Sequence, residues 1–265
     1  MKNVVRANPE VRATVLRIIF VITLILAWEL VAEFKIIDPF YISQPSQIFK
    51  DLKHLFISGE LGKHLTITLK EAFLGLTIGT FLGMAGGFIL GRIELLAKIF
   101  EPIITALYGI PKLALAPVFV LWFGLGIESK VFLSLLMVFY LVFFNTYGGI
   151  KSVDPNLVGA VKLMGANELQ LFTKVVLPSC VPWILAGLRG GLGASLLGAI
   201  VGEYIGASAG LGWMIQYATG TYQINRVMSC IVLLLFTGLI LNTGLKILEK
   251  RLLKWRPRVD YDTIS

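Results

Sequence analysis

The sequence predicts an all-α integral membrane protein with about six transmembrane helices, and three observations carry that reading. The 265-residue chain is 56% hydrophobic and only 15% charged, with a mean hydropathy of +0.81, whereas soluble domains are about a quarter charged. Its apolar residues fall in runs of about 20, the length a helix needs to cross a hydrocarbon core about 30 Å thick. Lys and Arg divide unevenly between the two sides of those runs, as they do around membrane spans.

The spans are expected at 14–34, 66–91, 103–123, 129–149, 180–203 and 226–248. Lys2, Arg6, Arg12 and Arg17 lead into the first run and would also suit a signal peptide. Against that alternative, no small-x-small cleavage site follows, and Trp28 and Glu29 stand where one would fall. After it, "DPFYISQPSQIF" reads as a turn and a Ser-rooted helix start, and "DLKHLF" as a segment along the membrane surface.

The second span carries Gly75, Gly79, Gly83, Gly87 and Gly91, each four apart. Such a row drifts slowly around a helix and lets another backbone approach closely. The fifth span has a similar row, Gly187, Gly191, Ser195 and Ala199, beside Gly190, Ala194, Gly198 and Gly202. Two uses fit both rows: tight packing, or smooth faces that slide during a cycle.

In the third span, "YGIPKLALAP" places Pro111 and Pro117 where they must distort a helix and free backbone groups. Lys112 lies there at membrane depth, and Arg189 lies in the fifth span. Charges at such depth face a pathway, a partner or the interface. Fifteen of the 24 Lys and Arg fall on the side of the N-terminus, seven on the other, and Lys112 and Arg189 within spans. That bias puts both termini and the segment 151–178 in the cytoplasm. The net charge of +8 expresses the same bias. The C-terminal "KRLLKWRPR" reads as the flank of the last span, with no nucleic-acid footprint elsewhere.

Segment 154–178 is more structured than a loop between spans needs to be. Asp154 and Pro155 form an N-cap and first-position pair. Gly165 ends that helix in a left-handed conformation, and Asn167 with Gln170 forms a capping box for a second helix. Leu169, Phe172 and Val176 share one face, and Pro178 closes the unit. The result is a rigid cytoplasmic elbow.

Catalytic motifs are missing: no Gly-x-Ser-x-Gly, no His-Glu-x-x-His and no phosphate-binding loop. His54 and His64 read as solvated residues of an outer loop. Cys180 and Cys230 are too few for a disulfide framework or a zinc site, and no metal site is expected. Glu29 and Glu203 stand out as carboxylates within spans, too sparse for a proton-coupled transporter. The chain reads as one domain, 1–265, without the internal repeat common in secondary transporters.

The spacing Gly159-Ala160-Val161, Gly165, Val175, Leu177-Pro178 resembles the EAA motif of ATP-binding-cassette importer permeases. "NTYGGIKSVDPNLV" and "WILAGLRGGLGASLLGAIVGEYIGASAGLGWMI" are similar to the nitrate/sulfonate/taurine branch. The resemblance covers about residues 60–255 and implies a type I (MetI-like) permease fold in a bacterial inner membrane. It makes the elbow a coupling helix that docks into an ATPase subunit. Ala160, Gly165, Leu177 and Pro178 fill the matching motif positions, and Gly159, Ala166, Leu169 and Phe172 complete the coupling surface. Gly159 replaces the usual acid and Val161 the second Ala.

The resemblance further implies a non-catalytic subunit with no cofactor of its own. ATP and Mg would be bound by two ATPase partners, beside a second permease copy and an extracytoplasmic binding protein. The solute would be a small anion (sulfonate, taurine or nitrate), or a riboflavin, aromatic-acid or thiamine-precursor type compound. Lys112, Arg189 and Glu203 are the candidate pathway residues. A stand-alone secondary transporter or channel is the competing reading.

Overall fold

The structure, a computed structural model, describes residues 9–253. The described residues are all-helical and divide into two compact units, one running to Gly62 and joined by Tyr217–Leu233, the other covering Lys63–Gln216 and the chain from Leu234.

The first unit begins with α1 (Pro9–Glu33), whose apolar side chains, Leu16, Phe20 and Leu26 among them, are exposed as in a helix facing lipid. Asp38 caps the short α2 (Pro39–Ile42) by accepting from the Phe40 amide at 2.9 Å. α3 (Pro45–Ile57) starts at a proline, with no side-chain cap. The expected Ser-rooted start is therefore absent, because Ser46 gives both its amide (2.9 Å) and its hydroxyl (2.7 Å) to Glu29. Arg226 donates through Nε to both Asp51 oxygens, at 3.0 and 2.9 Å, and reaches Glu60 at 3.3 Å.

The second unit is built around α7 (Ile127–Lys151), where Leu133, Val138, Val142 and Phe143 are fully buried. α4 (Glu60–Arg92) lays its glycine row on α7: Gly75 meets Ser134, Gly79 meets Val138, Gly83 meets Val142, Gly87 meets Thr146 and Gly91 meets Ile150. The numbering rises together, so α4 and α7 run parallel. α10 (Leu177–Gly206) packs on α7 in the opposite sense, with Gly187 against Val142, Gly198 against Ser134 and Gly202 against Lys130. Ser134 adds a hydrogen bond from its hydroxyl to the Ser195 carbonyl at 2.9 Å.

Between α4 and α7 the expected single span at 103–123 is broken. α5 (Glu94–Tyr108) and a segment made of a 3₁₀ turn (Lys112–Leu115) and α6 (Ala116–Phe123) meet at 80°. Pro111 has no amide hydrogen to continue α5, and its ring crowds the preceding turn. Among the described residues, five helices are long and apolar enough to cross a membrane, or six if the bent pair is one span. Parallel α4 and α7 require an odd number of crossings between them, so the bent pair crosses once.

The second span begins earlier than its hydropathy suggests. α4 starts at Glu60, which places His64 inside the helix and buried rather than in a solvated loop. α8 (Pro155–Leu163) and α9 (Glu168–Leu171) follow α7, and α11 (Leu211–Gly220) and α12 (Ile224–Leu252) follow α10.

Candidate functional site

The elbow is built from local signals. Asp154 accepts the Asn156 amide at 2.8 Å, with Pro155 at the first helical position. At the other end of α8, the Ala166 amide donates to the Val161 carbonyl (3.3 Å) and the Gly165 amide to that of Lys162 (2.9 Å). That pair of bonds is a Schellman motif, and it needs a left-handed residue at Gly165, whose φ is +83°. Asn167 and Gln170 exchange side-chain and backbone bonds at 2.8 and 3.0 Å, completing the expected capping box.

Beyond α9 the helix does not stop at Pro178. A single π turn (Phe172–Val176) leads directly into α10, and the Leu177 amide reaches back five residues to the Phe172 carbonyl. A proline ring collides with the carbonyl four residues earlier in an α-helix. The wider turn removes that collision, so Pro178 is carried inside one long helix.

Phe172 packs within this chain: its ring stands edge-to-face with Phe88 of α4 (5.4 Å) and under the Arg92 guanidinium (5.4 Å). Glu168 pairs with Arg92 at 2.7 Å and with Lys162 at 3.1 Å. These contacts fasten the elbow to the end of α4. On its outer side α8 buries none of its residues, and Leu163, Met164 and Leu169 are 91%, 85% and 70% exposed. Gly159 and Ala160 are exposed on α8, with open space where a Gly159 β-carbon would point. Ala166 and Leu177 are half-buried.

Lys112 sits at the break between α5 and α6. Its ammonium lies 4.0 Å from the Tyr108 ring centre and 4.8 Å from that of Tyr140, and it donates to the Tyr108 carbonyl. Arg189 is elsewhere, paired with Glu249 of α12. Glu203 is fully buried at the far end of α10. Its oxygens accept from the Thr68 hydroxyl (2.7 Å) and the Gly212 amide (2.6 Å). Gly210, at φ +110°, lets the chain fold over that carboxylate; a β-carbon there would come within 2.2 Å of it. The three candidate pathway residues do not form one site.

The description "binding-protein-dependent transport system inner membrane component" matches residues 75–254, more than half of the chain and all of the elbow. The chain belongs to this permease family. It is 34% identical over 233 residues to SsuC of Bacillus subtilis, named for aliphatic sulfonates transport, covering 88% of this chain and 84% of that protein. It is 32% identical to the taurine transport system permease protein TauC of Escherichia coli, covering 95% and 93%. The inward-facing MetNI methionine ABC transporter shares its fold, at a TM-score of 0.65 and 19% identity over 74% of this chain and 97% of that one. The chain is thus the translocating, non-catalytic subunit of an ABC importer, and permeases of this kind carry no cofactor of their own and work with ATPase and substrate-binding partners.

Two polar residues of this permease escaped the sequence reading, and a third was misread. Glu71 and Lys130 are buried beside Glu203: Glu71 is hydrogen-bonded to it, and Lys130 lies within electrostatic reach of both carboxyls. Lys130 donates to the carbonyls of Leu125 (2.7 Å) and Gly206. His64, the third, accepts the Gly210 amide at 3.0 Å and stacks on Trp213. A signal was present. Glu71 extends the glycine row of α4 by one step of four, and Glu203 extends the row 187-191-195-199 in the same way. Both rows face α7, whose own row 134-138-142-146 begins one step after Lys130.

Proposed function

We propose that the whole chain works as one permease domain and forms half of a translocation pathway for a small sulfonate, as a pair with a second copy. The family match spans parts of both structural units, which supports a single working domain. The names of the similar SsuC and TauC proteins support the solute class. The excess of Lys and Arg on the side of the N-terminus supports cytoplasmic termini and a cytoplasmic elbow.

The observation that carries the reading is the elbow's combination of rigidity and exposure. Its helix ends are fixed by a cap, a Schellman motif and a capping box. Its inner edge is fastened through Glu168 and Phe172, yet Leu163, Met164 and Leu169 stand uncovered. Apolar side chains on a held surface suit insertion into a partner's groove. In this reading Gly159, Ala160, Gly165, Ala166, Leu169, Leu177 and Pro178 shape the docking unit for an ATPase that binds ATP and Mg. Phe172 braces it from within, and Leu163 and Met164 join Leu169 as anchors. Lys112 lines the pathway at the broken span.

Reconstitution tests the proposal. Uptake of a sulfonate into proteoliposomes should require the ATPase subunits, the binding protein and ATP hydrolysis together. Uptake by the permease alone, driven by an ion gradient, would contradict it.

A further inference from the structure

We propose that α3 seats Phe49 and Phe56 in the membrane surface and binds the headgroup of an anionic phospholipid through Lys50 and Lys53. Its neighbours set its depth. Ser46 is bonded to Glu29, one turn from the end of α1. On another side, Arg226 holds Asp51 and the Ser229 hydroxyl reaches the Ile48 carbonyl at 3.4 Å, both near the start of α12. α1 and α12 are each long and apolar enough to cross a membrane. α3 therefore lies at the ends of two spans, where hydrocarbon gives way to headgroups.

At about 100° per residue, the positions of α3 sort into four sides. Ile48 and Leu55 are buried and form the side packed on protein. Gln47 and Asp51 form a polar side and line a cavity of about 510 Å3 with Gln223 and Asn225. Phe49 and Phe56 fall together opposite Gln47, and they are 70% and 75% exposed. Lys50, Lys53 and Ile57 occupy the remaining flank, across the helix from Ile48 and Leu55, and all three are exposed. That order is the one an interfacial helix requires: apolar side to the acyl chains, cations at phosphate level, polar side to water.

Charge selects the headgroup. The acidic residues nearest in the chain, Asp51 and Glu60, are both held by Arg226, and no ion pair among the described residues engages Lys50 or Lys53. The two lysines are three apart, so they stand side by side on the helix surface. Their stems can lie along the phenylalanine side while the ammonium groups reach a phosphate. A lipid occupant is favoured over a soluble protein by what surrounds the helix. Leu26 and Leu30 of α1, within one turn of Glu29, are exposed apolar groups at the same level. Lipid that covers them is already at the depth of Phe49 and Phe56.

The test uses the full permease in lipid nanodiscs. Phe56→Cys carries a bimane label, and the native Cys180 and Cys230 are buried and do not compete for it. Phosphatidylglycerol and phosphatidylcholine bearing a nitroxide on an acyl chain quench the label where they touch it. Both should do so, the first with an apparent association roughly fivefold stronger or more, the worth of one lysine at an anionic surface. Lys50→Gln with Lys53→Gln, both on exposed positions, should remove that preference and leave quenching by phosphatidylcholine in place. Equal quenching by the two lipids with the native lysines would overturn the headgroup site, as would a preference that survives the lysine substitutions. A label reached by neither lipid would overturn the whole proposal and assign the phenylalanine side to water, to a second copy or to the binding protein. Phe49→Cys, labelled alike, repeats the measurement on the same side of the helix, and the opposite result there would count equally against it.

Discussion

Gly83 of α4 lies so close to α7 that a β-carbon on it would stand 2.9 Å from that of Val142 and 2.8 Å from the Phe139 carbonyl. The same proximity recurs at Gly75, Gly79 and Gly87, where the nearest atoms would be 2.3 to 2.7 Å away. With no hydrophobic drive between helices in lipid, close backbone packing holds the pair together.

Gly83→Leu should therefore force α4 from α7 and destabilise the permease by about 1–3 kcal/mol or more. Gly193→Ala is the matched control, since nothing lies within 4 Å of that position, and it should leave the melting temperature unchanged or raised. Thermal melts in detergent compare the two. Equal melting of Gly83→Leu and wild type would mean that the row tolerates separation from α7.

The brace between elbow and α4 makes a second prediction. Phe172→Ala removes an edge-to-face contact and the face that Arg92 covers, each worth about 0.5–1.5 kcal/mol. Hydrogen exchange of the 155–171 backbone should speed up several-fold, while α7 stays protected. Unaltered exchange in the elbow would show that the capping motifs alone fix it.

Much of this was legible in the sequence because it is local. Asp154, Gly165, Asn167 and Gln170 act over two to five residues, and each does what its spacing announced. The glycine row was legible because small residues at a period of four have one main use between helices. Pro178 was misleading: whether a proline stops a helix depends on whether the preceding turn can widen, and the π turn at 172–176 does. Phe172 was expected as an outward anchor, but apolarity does not say which neighbour covers it, and Phe88 does. Glu71 was lost beside Lys70 at the start of a long apolar run, where two charged residues hardly change the average. His64 was misplaced with the loop because α4 extends past the apolar segment to Glu60.

Lys112, held between Tyr108 and Tyr140 at the broken span, supplies the third prediction. Lys112→Met keeps most of the length of the side chain and removes its charge. It should lower sulfonate uptake several-fold while ATPase co-purification stays at the wild-type level. Full uptake by this variant would assign Lys112 to bracing the break between α5 and α6.

Gly165 sets the angle between α8 and α9. At φ +83° a residue with a β-carbon costs roughly 1 kcal/mol and a branched one more. Gly165→Val should leave the membrane helices folded, judged by an unchanged melt, but reduce ATP-coupled uptake. Uptake at the wild-type rate would show that coupling does not depend on this turn.

The most direct measurement is the affinity of the ATPase subunit for the permease carrying Leu163→Asp and Met164→Asp. Both side chains are almost wholly exposed, so the change should spare the fold. Losing an apolar anchor at an interface commonly costs about 2 kcal/mol, roughly thirtyfold in affinity. The expected result is a loss of at least that size, together with loss of ATP-driven uptake, in a variant whose melting temperature matches wild type. Wild-type affinity and uptake in the double variant would contradict the elbow's role as the docking surface.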